Sequence, residues 1–261
     1  WCTLYSEPGA GSDLAAMQTR AVRDGDDYII NGQKIWTSFG HYADWGWLAV
    51  RTDPDVPKHK GLSTFAIKMD TPGITIRPLV NMAGTHEFNE IFFEDVRVPA
   101  ANLVGEENRG WYNVAVGLDF ERSSIGATSN SRRMVDDLVT YLRTEKPRID
   151  NAVKHRLVDE AIGVALLRNM AYYIASRQEK TGIAPTREAQ MAKLFGAELQ
   201  QRIAATALQV FGMEGQAHRL SSRAVPYRYG LLRSVANTIE GGTSEIQRSV
   251  IATRGLGLPR E

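Results

Sequence analysis

Residues 109–125 read Arg109-Gly110-Trp111-Tyr112-Asn113-Val114-Ala115-Val116-Gly117-Leu118-Asp119-Phe120-Glu121-Arg122-Ser123-Ser124-Ile125, and the architecture turns on this stretch because the period of the chain changes here. Trp111, Val114, Leu118 and Ile125 repeat at helical spacing, which predicts a long helical segment from about Arg109 to Lys146. Glu121 falls on the same face. A carboxylate in an apolar stripe is costly unless it is paired, protonated or put to use. The pattern alone leaves two readings open: a carboxylate at the stripe's edge that reaches solvent or a cation, and a group held out of water for acid–base work. Arg122 is not the obvious partner, because adjacent helical residues point about a quarter-turn or more apart.

Upstream of this switch the chain reads as short β segments with turn punctuation. Tyr28-Ile29-Ile30 and Lys34-Ile35-Trp36-Thr37 flank Asn31-Gly32, which predicts a hairpin there, and Asp24-Gly25 marks another tight turn. Further strands are expected at 46–51, 62–68, 74–78 and 90–98, separated by stretches rich in Pro, Asp and Gly. This composition predicts a small antiparallel barrel or sandwich.

Downstream the helical period continues. A helix over about 151–181 would place Leu157, Ala161, Val164, Leu167 and Ala171 on one face. Another over about 186–211 would align Ala189, Ala192, Phe195, Leu199, Ile203, Leu208 and Phe211, ended by Gly212 and Gly215. Shorter helices are expected around 221–237 and 243–254. The fold class is therefore α+β, with a small antiparallel β-barrel domain over 1–107 and an antiparallel, four-helix-type bundle over 108–261.

Composition sets the remaining bounds. Of the 261 residues 43% are hydrophobic, and 31 Lys and Arg oppose 30 Asp and Glu, so a net charge of +1 leaves no electrostatic footprint for nucleic acid. One cysteine, Cys2, excludes a disulfide framework or a cysteine metal cluster and fits a reducing compartment. No apolar run is long enough to span a bilayer. A start on Trp1-Cys2-Thr3 instead of Met points to a chain whose N-terminal part lies elsewhere.

Three segments suit a polar, flat ligand, although each also has an ordinary structural reading. Ser6-Glu7-Pro8-Gly9-Ala10-Gly11-Ser12-Asp13 is a glycine-interrupted loop with hydroxyls at both ends. Asn31-Gly32-Gln33-Lys34-Ile35-Trp36-Thr37-Ser38 sets a large aromatic beside two hydroxyls, though Trp36 could equally fill a core. Ile239-Glu240-Gly241-Gly242-Thr243-Ser244-Glu245-Ile246-Gln247 is a glycine turn entering a helix, with Thr243 as its cap.

Together with Phe93-Glu94-Asp95-Val96-Arg97-Val98-Pro99, and in this order, these segments strongly resemble the acyl-CoA dehydrogenase family, over nearly the whole chain. The resemblance corresponds to that family's middle β domain and C-terminal helical domain, without its N-terminal helical domain. It implies an FAD enzyme that oxidises an acyl-CoA thioester to the trans-2-enoyl product, a carboxylate taking the α proton while hydride leaves for flavin N5. It also implies electron transfer to an electron-transferring flavoprotein or similar acceptor, a homo- or heterotetramer, and a cytoplasmic bacterial enzyme of fatty acid or steroid side-chain β-oxidation.

In such enzymes the base comes either from just before the Gly-Thr of the C-terminal turn or from the helix opening the C-terminal domain. Gly241 has no side chain to act, whereas Leu118-Asp119-Phe120-Glu121-Arg122 resembles the second arrangement. Glu121 is therefore the expected base, and Glu240, one place out of register, the runner-up. The resemblance further implies cofactor contacts from Tyr5, Ser6, Ser12, Trp36, Thr37, Ser38, Gln209, Gly212, Thr243 and Glu245, and substrate contacts from Ser12, Arg122 and Gly242.

Two departures stand out. The family's Arg-x-x-Phe-Gly-like motif, whose arginine binds a neighbouring subunit's FAD pyrophosphate, is replaced by Thr144-Glu145-Lys146-Pro147-Arg148-Ile149-Asp150, and the Gly-Gly-x-Gly segment by Gly212-Met213-Glu214-Gly215. Either Arg143 or Arg148 substitutes from a shifted position, or the chain is similar to one half of the α2β2 dehydrogenases of steroid side-chain breakdown, in which the partner supplies that arginine. Two alternatives share the fold: a non-catalytic partner subunit, and an acyl-CoA oxidase-like flavoenzyme.

Overall fold

The computed structural model describes residues 1–121, 126–183, 185–216 and 223–259. Two compact units, Trp1–Gly117 and Leu118–Glu261, divide the chain. The strand-to-helix switch itself falls at Gly110.

The first unit is a seven-stranded sheet formed by β1 (Cys2–Leu4), β2 (Arg20–Asp24), β3 (Asp27–Ser38), β4 (Trp45–Arg51), β5 (Leu62–Lys68), β6 (Ile74–Val80) and β7 (His86–Pro99). Its order is β1-β4-β2-β3-β7-β6, with β5 on β4, and only the β1–β4 and β2–β4 pairings are parallel. The sheet curls as a half-barrel around Leu4, Tyr28, Ile30, Leu48, Phe65, Ile67, Ile91 and Val96; Tyr28 and Ile30 alternate with outward residues as a half-buried pleat requires, whereas β4 and β5 are buried on both faces over 48–51 and 62–65. The expected α+β class, β-barrel domain before helical bundle, is thus observed.

One expectation is overturned. Asn31-Gly32 is not a hairpin turn, because β3 runs unbroken through it from Asp27 to Ser38 and the turn upstream, at Asp24–Asp27, closes the β2–β3 hairpin. The reason is local chemistry. The Asn31 side chain accepts from the Asp95 amide and donates to the Asp95 carboxylate, both at 2.9 Å, so it ties β3 to a bulge in β7. Gly32 serves close approach: a Cβ there would lie 2.6 Å from Thr19 Oγ1 and 2.7 Å from Thr19 Cα.

The second unit carries α2 (Gly126–Glu145), α3 (Asn151–Thr181), α4 (Thr186–Phe211), α5 (Met213–Gln216), α6 (Val225–Asn237) and α7 (Ser244–Val250), preceded by α1 (Gly110–Glu121). Residues 122–125 of the expected Arg109–Lys146 helix, with Arg122 and Ile125, lie outside the described residues. Leu138, Leu157, Leu167, Ile174, Leu199, Ile203, Phe211 and Tyr227 form the helical core. α3 departs from its expected face: Ala161 is exposed and Glu160 takes the core position instead. Asp150 caps α3 through the Ala152 amide, Gly182 ends it in the left-handed region, and Gly212 does the same for α4. α7 is shorter than expected, with a π turn over Ile251–Gly255. Among the described residues no helix is long and apolar enough to cross a membrane.

Candidate functional site

The glycine-interrupted loop and the Trp36 segment, widely spaced in sequence, are locked together by a buried ion pair. Lys34 has no exposed surface, and its Nζ donates to Glu7 Oε1 at 2.8 Å and to the Tyr5 carbonyl at 2.9 Å. Glu7 also accepts from the Gln18 amide at 2.6 Å and the Thr19 amide at 2.9 Å, and the Ile35 amide reaches the Ser6 carbonyl at 2.9 Å. Burial pulls the Lys34 ammonium down to about 8 against the opposing pull of Glu7. For Glu7, burial pushes upward, but Lys34 and the hydrogen bonds from Gln18 and Thr19 outweigh it and hold the carboxyl below its ordinary value. Every oxygen of Glu7 has a donor, which is the geometry of a charged pair.

This fixture fixes the loop's orientation beside β3. Tyr5 and Ser6 are half-buried and Ser12 is exposed, next to the exposed Asp13–Lys58 ion pair at 2.7 Å. A groove of about 480 Å³ lined by Pro8, Gly9, Gln18, Gly32 and Gln33 runs beside it.

At the far end of β3 the register slips between Lys34 and Thr37, so two residues, Ile35 and Trp36, face one on β7. Such a bulge re-aims side chains. Trp36 adopts φ +61, a strained left-handed backbone for a bulky residue, and its indole stands out at 54% exposure. Ser38 is exposed beside it, while the Thr37 hydroxyl is buried and has no hydrogen-bond partner. Phe39 follows, also left-handed and exposed.

In the helical unit the glycine turn is equally built. Thr243 Oγ1 caps α7 by accepting from the Ile246 amide at 3.2 Å, Gly241 and Gly242 take φ of +64 and +100, and Gln247 Nε2 donates to both their carbonyls at 3.0 and 3.1 Å. The Gly242 carbonyl also accepts from Lys193. Gln247 Oε1 is buried with no partner. Glu245 is exposed on the first turn of α7, its carboxyl held low by its own backbone amide and the Thr243 hydroxyl. Glu240 is gripped by Arg233, whose Nη2 lies 3.1 Å from Oε2 and 3.3 Å from Oε1. Gln209 and Gly212 end α4, and Arg156 of α3 donates to Gln209 Oε1 at 2.5 Å. A cation beside Gln209 is Arg156, which the sequence reading did not single out. Glu121 closes α1, but its side chain lies outside the described residues, as does Arg122 altogether.

Sequence reasoning also missed Glu7 and Lys34 as partners and the buried Asn89 behind the bulge. The signal for Lys34 was present in the pattern: it falls in phase with the apolar, inward Tyr28 and Ile30 of the same strand.

Residues 2–96 match the family described as Acyl-CoA dehydrogenase, middle domain, and residues 108–256 match Acyl-CoA dehydrogenase, C-terminal domain. The acyl-CoA dehydrogenase IpdE1 of Mycobacterium tuberculosis is 38% identical, covering 100% of this chain and 67% of its own. Among solved structures, the steroid ACAD Tcur3481–Tcur3483 gives a TM-score of 0.89 at 33% identity over 100% of this chain and 68% of that one. The ChsE4–ChsE5 complex from Mycobacterium tuberculosis gives 0.86 at 34%, over 100% and 69%. The chain belongs to the acyl-CoA dehydrogenase family, which makes it part of an FAD-dependent oxidoreductase.

The residues present fit FAD. An outward indole with an adjacent exposed hydroxyl suits a planar ring with polar edges, and the unsatisfied Thr37 Oγ1 and Gln247 Oε1 are buried polar atoms that protein groups alone leave unmatched. Within the first unit the glycine-interrupted loop offers backbone donors for a ligand that also carries phosphates.

Proposed function

We propose that this chain dehydrogenates the α,β bond of an acyl-CoA thioester, with Glu121 as the base, and that it works within a heteromeric dehydrogenase of the steroid acyl-CoA type. The carrying observation is the state of the alternative base: Gly241 has no side chain, and Glu240 is held by both oxygens on Arg233. Glu121, on the closing turn of α1, is the carboxylate left for the task.

The α proton of a thioester is weakly acidic, so a base must be raised in affinity for protons and the carbonyl polarised by donors. Glu121 accepts that proton at its carboxylate. Bound FAD supplies the acceptor for the hydride that leaves the β carbon. Tyr5, Ser6, Trp36, Thr37 and Ser38 would hold and border the flavin ring, Ser12 would meet its phosphates or the pantetheine, Thr243 and Glu245 would serve the adenosine half, and Gln209 and Gly212 would reach the FAD of a neighbouring subunit. Arg122 and Gly242 serve the substrate. Arg156, already on Gln209, supplies a cation in a chain that lacks the Arg-x-x-Phe-Gly motif. The heteromeric reading is supported by the likeness to Tcur3481–Tcur3483 and ChsE4–ChsE5 together with that missing motif. The acceptor of the electrons is an electron-transferring flavoprotein or similar.

The test is flavin absorbance per chain in the full-length protein, alone and co-expressed with an adjacent dehydrogenase-like subunit, before and after acyl-CoA thioesters. Bleaching that Glu121→Gln abolishes while FAD stays bound supports the reading. Bleaching that survives Glu121→Gln sinks Glu121 as base, and FAD bound without bleaching in any combination leaves a non-catalytic partner.

A further inference from the structure

Asn89 lies on β7 opposite Thr37, is fully buried and is not itself among the residues proposed to meet flavin or substrate. Its Nδ2 donates to the Thr37 carbonyl at 3.0 Å, inside the segment that turns Trp36 outward. Its Oδ1 faces two imidazole nitrogens, His41 Nδ1 at 3.1 Å and His86 Nε2 at 2.8 Å. Since the amide nitrogen is committed to a carbonyl, Oδ1 is the acceptor, and both rings must carry their hydrogen at those two atoms. The rings stack on each other with centroids 4.0 Å apart and 19° between planes, so neither can leave without uncovering the other. Phe88, the neighbour of Asn89, meets the Trp36 indole edge-on at 5.7 Å. Gly40 closes the arrangement: a Cβ there would lie 2.9 Å from Thr37 Cγ2 and 3.5 Å from Asn89 Nδ2.

A left-handed tryptophan persists only where its surroundings over-determine it. Here the carbonyl after Trp36 is fixed by Asn89 and the indole by Phe88, both from one dipeptide of β7. We propose that Asn89, backed by His41 and His86, is a positioning residue for the flavin-facing segment 36–38. It does not touch flavin or substrate and acts by holding the strained bulge. The inference rests on the reading above that Trp36 borders the flavin.

The test uses the FAD-loaded holoenzyme containing this chain. Asn89→Asp keeps oxygen acceptors for both imidazoles but replaces the N–H given to the Thr37 carbonyl with a carboxylate oxygen that brings a buried charge. Amide hydrogen exchange over 35–40 should quicken roughly tenfold or more while 20–30 stay unchanged, because the bulge loses its anchor and the β2–β3 hairpin does not. The visible circular dichroism of bound flavin should move as it does in Trp36→Phe, and kcat should fall by about tenfold with KM nearly constant, as misplacement beside the reacting centre predicts. Unchanged exchange overturns the anchor. Quickened exchange with wild-type flavin signal and kcat, in a protein whose Trp36→Phe variant does alter the flavin signal, overturns the positioning role. A flavin signal that Trp36→Phe leaves untouched instead removes the flavin reading of Trp36, and the positioning role with it. Should Asn89→Asp not fold, the double variant His41→Phe/His86→Phe strips both donors from Oδ1, keeps a stacked pair, and must shift the same readouts in the same direction.

Discussion

Glu7 and Lys34, twenty-seven residues apart, form a buried ion pair at 2.8 Å that joins the glycine-interrupted loop to the strand carrying Trp36. Each carries further partners, the Tyr5 carbonyl for Lys34 and two backbone amides for Glu7. A buried pair adds little net stability over an apolar pair, yet removing one member strands the other's charge. Its role is therefore registration: two segments proposed to meet one ligand cannot slide past each other.

Lys34→Met should cost about 3–5 kcal/mol in urea unfolding, since Glu7 keeps its two amides but loses its counter-charge. Glu7→Gln/Lys34→Met should cost clearly less than the sum of the single changes. A Lys34→Met protein as stable as wild type would show that the pair carries no such constraint.

The pair also sets a pH signature. Glu7 is held below its ordinary value, so its contribution is present above the unfolded-state value and is lost as pH falls through the lowered one. Lys34 is pulled to about 8 from 10.5, so the unfolded chain holds a proton that the folded chain releases, and this group adds stability as pH rises across that window. Urea midpoints from pH 3 to 10, wild type against Lys34→Met, should show the alkaline rise only in wild type.

Glu160 has the opposite sign. Burial raises its carboxyl, with Thr206 at 2.6 Å and the charges of Arg202 and Arg156 only partly opposing, and its Oε2 has no partner. An acid raised in the folded state contributes stability below its unfolded value and loses it as pH rises through the folded one. Glu160→Leu/Thr206→Val, which replaces both partners with apolar groups, should raise stability at neutral pH by about 1 kcal/mol and flatten this slope. A fall in thermal midpoint would instead give Glu160 a stabilising role.

The helices were legible in the sequence because burial on one face imposes a 3.6-residue period: α3 and α4 fall at 151–181 and 186–211 as read. Asp24-Gly25 was legible as a turn for the same local reason. Asn31-Gly32 was misread because its turn chemistry is spent on partners distant in sequence, Asp95 and Thr19, which no local pattern reveals. Ala161 was misread because a charged residue, Glu160, holds the core position through Thr206 on another helix. The bulge at Trp36 was invisible likewise, since register belongs to two strands and not to one.

Gly32 offers a direct check on the corrected β3. Gly32→Ala should destabilise by about 2 kcal/mol or more, because the new Cβ would meet Thr19 backbone at 2.7 Å and disturb the amide that Thr19 gives Glu7. Gly25→Ala, with φ +63 but nothing within 4 Å, should cost only about 1 kcal/mol. Were Asn31-Gly32 the hairpin turn, the two substitutions would cost the same.

Glu240 and Glu121 make the last separation. Glu240 is partly exposed and bound through both oxygens to Arg233, an arrangement suited to shaping the turn before α7 and unsuited to receiving a proton. Glu240→Gln should therefore leave flavin bleaching by acyl-CoA within about twofold of wild type, with a stability loss below about 1 kcal/mol, the range of exposed pairs. Glu121→Gln should slow bleaching by at least a hundredfold, the lower range for losing a general base. Rapid-mixing absorbance on the two variants decides it: slow bleaching in Glu240→Gln with normal bleaching in Glu121→Gln would exchange their roles.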